Sequence, residues 1–245
     1  MRSWDRLYIG GEWVEPASSK KIEVISPHTT EVIATAPEAV EADVDRAVTA
    51  ARTTFDQGDW ALADPKERHA LVKKLHDLYT ANMGDLAGLM TEEIGSPITF
   101  SQMAQTGAAW MTMNSMLAIA ENFPWEEERQ GALSPVLVRR EAVGVVAAVV
   151  PWNVPQFIIM NKIIPAFLTG CTVVLKPAPE TPIDALFLAE LIEQAGFPAG
   201  VFNIVPAGRE VSEYLVSHPG VDKVSFTGST AVSYTHLTLP TNREV

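Results

Sequence analysis

The hydrophobic pattern is most distinctive between residues 142 and 176, where apolar runs alternate with short polar or proline-rich breaks. Val145–Val150 is apolar throughout, which predicts a strand buried on both faces that stops at Pro151. Ile158–Leu168 is apolar and long enough for a helix, with Pro165 expected to kink it or to end its first half. Val173–Leu175 predicts a second strand. The pattern therefore indicates a βαβ unit with parallel strands.

Alternating elements continue after this unit. A helix is predicted to start at Thr181-Pro182 and to stop at Gly196. The next strand, helix and strand are predicted at Val201–Val205, Glu210–Ser217 and Lys223–Phe226. This alternation is typical of a doubly wound parallel sheet, a Rossmann-like α/β fold whose ligands bind beyond the carboxyl ends of the strands. Residues 233–245 show no periodicity, so we expect the sheet to be incomplete.

The amino-terminal part predicts a mixed β/α segment. Leu7–Val14 holds two short apolar pieces around Gly10-Gly11, which is a hairpin signal, and Ile22–Ile25 and Val32–Ala34 predict further strands. One helix is expected to start at Asp64-Pro65, and a later one to end at Gly95. The positions predicted to be buried are Val44, Ala47, Val48, Ala51 and Phe55 in the first helix and Leu71, Leu75 and Leu78 in the second.

The stretch before the central unit is less regular. Ser96-Pro97 can start another helix, in which Met113, Met116 and Leu117 are expected to be packing residues. Glu126-Glu127-Glu128 predicts a solvated surface turn, and the alternating residues Val136–Arg140 predict an edge or interface strand. We therefore divide the chain into residues 1–134, a candidate interface strand at 135–141, a core at 142–232 and a tail at 233–245.

Composition and charge exclude several classes of function. The 245 residues are 47% hydrophobic with a formal net charge of −12, and Lys and Arg form no run longer than a pair, which argues against nucleic-acid binding. No run of about 18 apolar residues exists, and the start lacks the apolar core of a signal peptide, so we expect a cytoplasmic protein without a membrane segment. One cysteine and five scattered histidines predict neither a disulfide nor a metal site.

Four motifs together resemble a known family. They are Tyr8-Ile9-Gly10-Gly11, the turn Pro151-Trp152-Asn153, the stretch Gly170–Pro177 and the motif Phe226–Thr230. From about Leu7 to Val232 the chain resembles the NAD(P)-dependent aldehyde dehydrogenase superfamily, with Asn153 placed 23 residues before Lys176. The resemblance implies that residues 142–232 bind a dinucleotide, that the catalytic domain comes from sequence beyond this chain, and that an oligomerisation arm forms a homodimer or homotetramer.

The resemblance also implies a reaction, with NAD or NADP as cofactor and an aldehyde as substrate. In this family a cysteine thiolate attacks the aldehyde, hydride passes to the nicotinamide, and a Glu-activated water hydrolyses the thioester to a carboxylic acid. Asn153 matches the Asn whose side-chain amide holds the oxyanion. From the residues alone, Asn153 could also cap the helix that follows it. By the same resemblance, Met113, Met116 and Leu117 could border the substrate tunnel.

Residues matching the family's cofactor shell are spread along the core. Lys176 matches the Lys that contacts the adenosine ribose hydroxyls, although a lysine before a proline can also be a plain surface residue. Gly228 and Ser229 match the loop that approaches the diphosphate. The remaining matches are Val149, Val150, Pro151, Trp152 and Gly208. Many NAD-preferring members carry Glu three positions after the Lys, but Pro179 stands there with Glu180 next, so the choice between NAD and NADP is open.

The single cysteine does not match the family's nucleophile. Cys171 lies at the apolar entry of the second core strand, where a thiol is expected to be inert. Neither the nucleophilic Cys nor the general-base Glu of the family has a match in this sequence. We therefore expect the chain to be the amino-terminal part of an aldehyde dehydrogenase and inactive alone. The alternatives are a non-catalytic nucleotide-binding or interaction fragment and a CoA-acylating or phosphate-dependent relative.

Overall fold

The structure of the protein is a computed structural model that describes residues 2–228. Its strands are β1 (Leu7–Ile9), β2 (Glu12–Val14), β3 (Lys21–Ile25), β4 (Val32–Pro37), β5 (Glu126–Gln130), β6 (Pro135–Arg139), β7 (Val145–Val149), β8 (Thr172–Lys176), β9 (Phe202–Ile204) and β10 (Lys223–Phe226). Its helices are α1 (Glu41–Gln57), α2 (Pro65–Ala81), α3 (Met83–Ile94), α4 (Ile98–Phe100), α5 (Gly107–Glu121), α6 (Pro155–Thr169), α7 (Ile183–Ala195) and α8 (Arg209–Ser217). A π-helical segment, Ser101–Thr106, joins α4 to α5.

The central sheet is parallel and has the strand order β10-β7-β8-β9. Every residue of β7 and β8 is buried, as the apolar runs predicted. Alternate side chains face opposite sides of the sheet, so that Val145 and Ala147 pack with α1 while Val146 and Ala148 pack with α6 and α7. Helices cover both faces, which confirms the doubly wound α/β class.

The predicted amino-terminal hairpin is confirmed and lies against the sheet. Gly10 and Gly11 both have positive φ, 66° and 85°, the conformation that a tight two-residue hairpin turn requires. The Gly10 N–H donates to Oδ1 of Asn203 in β9 at 2.8 Å. A Cβ on Gly11 would lie only 2.9 Å from Ala199, so this turn fits closely beside the end of β9.

The first two helices form where the pattern predicted them. The side chain of Asp64 accepts from the Lys66 N–H at 2.8 Å and caps α2, which begins at Pro65. The buried face of α2 is rotated from the one we predicted. Leu75 is fully buried, but its fully buried neighbours are Val72 and Tyr79, whereas Leu71 and Leu78 are half-buried. Phe55 in α1 is half-buried as well.

The helix between the first two core strands is longer than the apolar run. It begins at Pro155, where a proline needs no hydrogen-bond partner, and continues unbroken through Pro165 to Thr169. Of the two alternatives predicted for Pro165, an end to the first half of the helix was wrong, and a kink stays a prediction. Because Pro165 has no N–H, the backbone carbonyl of Asn161, four residues earlier, loses its helical hydrogen bond. Asn161 is exposed, so water can bond to this carbonyl instead.

The predicted surface turn at Glu126–Glu128 was wrong, because these residues belong to β5. This strand pairs antiparallel with β6, and Arg139 donates to Glu126 across the pair at 2.7 Å. β6 is the strand we predicted at Val136–Arg140, and Val136 and Leu137 are about half exposed. The division of the chain into four segments stays a prediction, and its boundary at residue 134 falls inside this hairpin.

Candidate functional site

Strand register brings the carboxyl ends of three core strands to one edge of the sheet. Val149 in β7 lies opposite Lys176 in β8 and, on its other side, opposite Phe226 in β10. The Thr227 N–H donates to the Val149 carbonyl at 3.1 Å, which extends the β10 ladder by one residue. Segments up to 77 residues apart in sequence therefore meet where ligands of parallel sheets bind.

A cleft of about 660 Å³ opens at this edge. Of the predicted site residues, it is lined by Val149, Val150, Pro151, Trp152, Asn153, Lys176, Gly208 and Gly228. Ser229 lies outside the described residues. The cleft is also lined by Ala178, Pro179, Glu180, Arg209, Ser212, Phe226 and Thr227. Of these, Pro179 and Glu180 were considered for cofactor choice in the sequence, and Phe226 and Thr227 belong to the last family motif. The structure thus brings every described residue predicted for the oxyanion hole or the cofactor shell into one cleft, whereas Met113, Met116 and Leu117 do not line it.

Lys176 is the buried cation of this cleft. Its side chain is 5% exposed, and its ammonium group donates to the Ala207 carbonyl at 3.2 Å. Burial lowers the pKa of Lys176 to about 8, and the negative charge of Glu180 acts in the opposite direction. An ammonium group has three donors, and within residues 2–228 the Ala207 carbonyl is its one hydrogen-bond partner. The remaining donors can therefore serve a ligand's hydroxyl groups.

Asn153 is exposed in the turn between β7 and α6. The residue that caps α6 is Val154, and no side chain makes a capping hydrogen bond there, so the alternative of Asn153 as a helix cap is wrong. Its side-chain amide has no hydrogen-bond partner within the described residues, whereas its backbone carbonyl accepts from Gln105 Nε2 at 2.9 Å. The amide is thus a neutral donor at the cleft, and the hydrogen bond from Gln105 to the Asn153 carbonyl holds its backbone in place.

Gln105 is a residue that sequence reasoning missed. It lies in the π-helical segment between α4 and α5, its side chain is 1% exposed, and it reaches across to the Asn153 turn. Single π-helical turns inside helices are frequent at functional sites. A buried glutamine 48 residues from its partner leaves no signal in local periodicity.

Gly228 lies close to the ring of Phe226 in the cleft. A Cβ there would lie 2.6 Å from the ring of Phe226, so a side chain would force the ring or the loop to move. Gly208, at the start of α8, has open space beside it, because a Cβ would meet only a Glu38 oxygen, at 3.9 Å. Backbone can therefore lie close to a bound ligand at both glycines, and the cleft volume is typical of cofactor pockets.

Cys171 lies at the opposite end of its strand from the cleft. It precedes β8, whereas Lys176 ends that strand, so the two are about 16 Å apart along the strand. Its side chain is 3% exposed, and its carbonyl accepts from Trp60 Nε1 at 3.0 Å. This position separates the thiol from Asn153 and from the rest of the candidate site.

The described part of the chain offers neither a metal-binding cluster nor a helix suited to span a membrane. Residues 2–228 contain no group of three or more His, Cys, Asp or Glu side chains placed to hold a metal ion. Within the same residues, no helix combines the length and apolar character that crossing a membrane demands. The polar side chains that line the candidate site include the Asn153 amide, the buried Lys176 ammonium group and the exposed Glu180 and Arg209 side chains.

Comparison with known proteins gives consistent matches. The model of the "Aldehyde dehydrogenase family" matches residues 13–239. The chain is 44% identical over 234 residues to the putative aldehyde dehydrogenase DhaS of Bacillus subtilis, covering 93% of this chain and 46% of the relative. It is 38% identical to the geranial dehydrogenase of Castellaniella defragrans, covering 92% of this chain and 47% of the relative.

The solved structures agree with the sequence relatives. The crystal structure of Mycobacterium tuberculosis aldehyde dehydrogenase complexed with NAD+ superposes with a TM-score of 0.92 at 42% identity, covering 95% of this chain and 48% of that one. The chain spans about half the length of the relatives it matches. With a family match over most of the sequence, the same fold and a cleft at the expected strand ends, the chain belongs to the aldehyde dehydrogenase family.

Proposed function

We propose that this chain provides the cofactor-binding part of an NAD(P)-dependent aldehyde dehydrogenase, an oxidoreductase that converts an aldehyde to a carboxylic acid. The observation that carries this proposal is the convergence of Asn153, Lys176 and Gly228 in one cleft at the carboxyl ends of the core strands. The relatives support it, since they are named as aldehyde dehydrogenases and one of them was solved with NAD+.

Asn153 is proposed as the side-chain donor of the oxyanion hole. Its amide is exposed, uncommitted among the described residues and fixed through its carbonyl to Gln105. A neutral donor held in place stabilises the charge that develops on the aldehyde oxygen when a thiolate attacks, without reorganising during the reaction. In an active enzyme containing this part, Asn153→Ala is expected to lower turnover by roughly 10²–10³-fold.

The cofactor, NAD or NADP, is proposed to lie over Lys176 and between the two glycines. When bound, it supplies the acceptor for the hydride that leaves the substrate carbon. Lys176 donates to the adenosine ribose hydroxyls, and Gly228 lets backbone lie close to the diphosphate. Val149, Val150, Pro151, Trp152 and Gly208 form the rest of the cofactor shell. Ser229, which lies outside the described residues, is assigned to the diphosphate loop by the family resemblance alone. With a pKa of about 8, the Lys176 ammonium group is half deprotonated near pH 8, so cofactor binding that depends on its charge is expected to weaken as the pH rises through about 8.

The chain of 245 residues is proposed to be inactive by itself. Neither the family's nucleophilic Cys nor its general-base Glu has a match in the sequence, and Cys171 is buried away from the cleft. The active enzyme is proposed to be a cytoplasmic homodimer or homotetramer. Support for these points comes from the half-exposed apolar residues Val136 and Leu137 of β6 and from a single cysteine that suits a reducing compartment.

The proposal is tested by titrating the purified chain with NADH and following the energy transfer from tryptophan. Trp152 is 50% exposed in the cleft and serves as an internal donor. We expect NADH to bind, Lys176→Ala to weaken binding about tenfold or more, and Lys73→Ala, an exposed control in α2, to leave it unchanged. Absence of NADH binding to the wild-type chain would refute the proposal. Formation of NADH from NAD+ and aldehydes by this chain would contradict its inactivity.

A further inference from the structure

Gln105 is an amide at a position where its neighbours call for an apolar side chain. The buried residues of the π-helical segment and of α5 follow one another four positions apart, as Ser101, Gln105, Ala109, Met113 and Leu117. The last three belong to the main hydrophobic core. Within residues 2–228 the Gln105 side chain makes one hydrogen bond, to the carbonyl in the turn after β7, and its Oε1 has no partner. A buried oxygen without a partner costs stability, so packing alone does not explain a glutamine here.

The π-helical segment keeps Gln105 on this buried face. Residues four apart in an α-helix are rotated by about 40° from each other, because each residue advances by about 100°. The wider i→i+5 turn of the π-helix offsets that rotation, and Ser101 and Gln105 are both buried. Ser101 Oγ accepts from Thr91 of α3 at 2.9 Å. Thr106 Oγ1 donates to the carbonyls of Ser101 and Gln102, each at 3.2 Å. The segment that carries Gln105 is therefore fixed on both sides of it.

We propose that Gln105 is a positioning residue for Asn153, an inference that rests on the proposed oxyanion role of Asn153. Gln105 Nε2 holds the main chain of the turn, whereas the Asn153 side chain has no partner within the described residues. A donor lowers the barrier most when it is fixed before charge develops on the substrate oxygen. Gln105 thus acts on the rate through the placement of Asn153 and does not touch the substrate itself. Its unpaired Oε1 is a cost in stability that this role accounts for.

The first measurement uses the 245-residue chain. Gln105→Met removes the amide and keeps an unbranched side chain that suits a core position. NMR relaxation should show the backbone N–H of Asn153 as rigid in the wild type, with an order parameter near about 0.85, and as mobile in the variant, below about 0.6. The melting temperature should not fall, because the unpaired buried oxygen is removed as well. Gln102→Met, the same change at an exposed position of the π-helical segment, should leave the order parameter of Asn153 unchanged.

The second measurement uses an active enzyme containing this part. Gln105→Met should lower kcat about tenfold, the size expected for one hydrogen bond that acts in the transition state. The KM for the aldehyde and the Kd for NADH should change by less than about twofold. In an Asn153→Ala background the same substitution should have no further effect on kcat, since the residue that Gln105 positions has lost its amide. Gln105→Glu should regain part of the wild-type rate as the pH falls, because a protonated carboxyl group donates where a carboxylate cannot.

The outcomes separate this inference from the proposed function. If Asn153→Ala lowers kcat but Gln105→Met does not, or if the two effects add in full, the inference fails while the proposed function stands. If Asn153→Ala leaves kcat unchanged, the oxyanion role and the inference fail together. A loss of kcat with a lower melting temperature and an unchanged order parameter of Asn153 would assign Gln105 to packing and overturn the inference. Gln105→Leu removes the same donor and replaces Gln105→Met in every arm if the methionine variant does not fold.

Discussion

Replacing Asp184 by Asn is expected to remove a pH dependence of stability that originates in a buried pair of carboxyl groups. Asp184 lies in the first turn of α7 and is fully buried. One of its oxygens accepts from Gln156 Nε2 at 2.8 Å, and the other has no partner among the described residues. Glu93 of α3, also buried, accepts the backbone N–H groups of Ile183 and Asp184 at 2.7 and 3.2 Å. No basic side chain within residues 2–228 bonds to either carboxyl group.

The magnitude follows from the pKa of Asp184. Burial raises it from 3.8 to about 7, and burial together with the charge of Asp184 raises the pKa of Glu93 well above its usual value. The folded state therefore keeps a proton that the unfolded chain releases, so the contribution of Asp184 to stability is fully present below about pH 4 and is lost as the pH rises through about 7. At about 1.36 kcal/mol for each pKa unit, Asp184 accounts for at most about 4 kcal/mol of that loss.

Urea unfolding followed by circular dichroism between pH 5 and pH 8 measures this effect. The wild-type chain should lose about 2 to 3 kcal/mol over that range through Asp184, whereas Asp184→Asn, which keeps the shape and the bond to Gln156, should lose much less. Asp5→Asn changes the same charge at an exposed site and should follow the wild type. Identical pH profiles for wild type and Asp184→Asn would refute the assignment of the titration to this pair.

Other substitutions test the packing described above. Gly11→Ala should destabilise the chain by about 2 kcal/mol or more, because φ is positive there and the new Cβ would clash with Ala199. Gly84→Ala, at an open and exposed helical position, should instead stabilise it by about 0.5–1 kcal/mol. Thermal unfolding of both variants measures these two effects. Phe167→Ala removes a fully buried ring and should lower the free energy of unfolding in urea by about 3–5 kcal/mol. Cys171 should react with Ellman's reagent only after denaturation, and rapid reaction of the native chain would contradict its burial.

The sequence alone determined most of the regular elements, because their signals are local. A short apolar run rich in valine and bounded by a proline, such as Val145–Val150, favours a strand covered on both faces, and the order of strands and helices then leaves few topologies. Gly10-Gly11 fixed a turn, since few other residues adopt positive φ at two adjacent positions. Recognition of the family motifs added the candidate residues of the cleft, with roles that stay predictions.

Local pattern failed where an element depends on a distant partner. The strand at Glu126–Gln130 carries no apolar stripe, and it forms because β6 pairs with it and Arg139 offsets the charge of Glu126. The buried face of α2 differs from the predicted one for a related reason. Val72 and Tyr79 are buried by α5, α6 and α7, and the sequence of α2 does not say from which direction those helices pack.

The geometry of the candidate site likewise depends partly on sequence and partly on tertiary structure. Parallel pairing in register places Val149, Lys176 and Phe226 side by side, which the order of strands made predictable. The hydrogen bond from Gln105 to the Asn153 turn, and the one from Lys176 to the Ala207 carbonyl, join segments that are far apart in the chain. Such contacts depend on how whole helices dock against the sheet, and periodicity records only which face of an element is buried, not which residue it will meet.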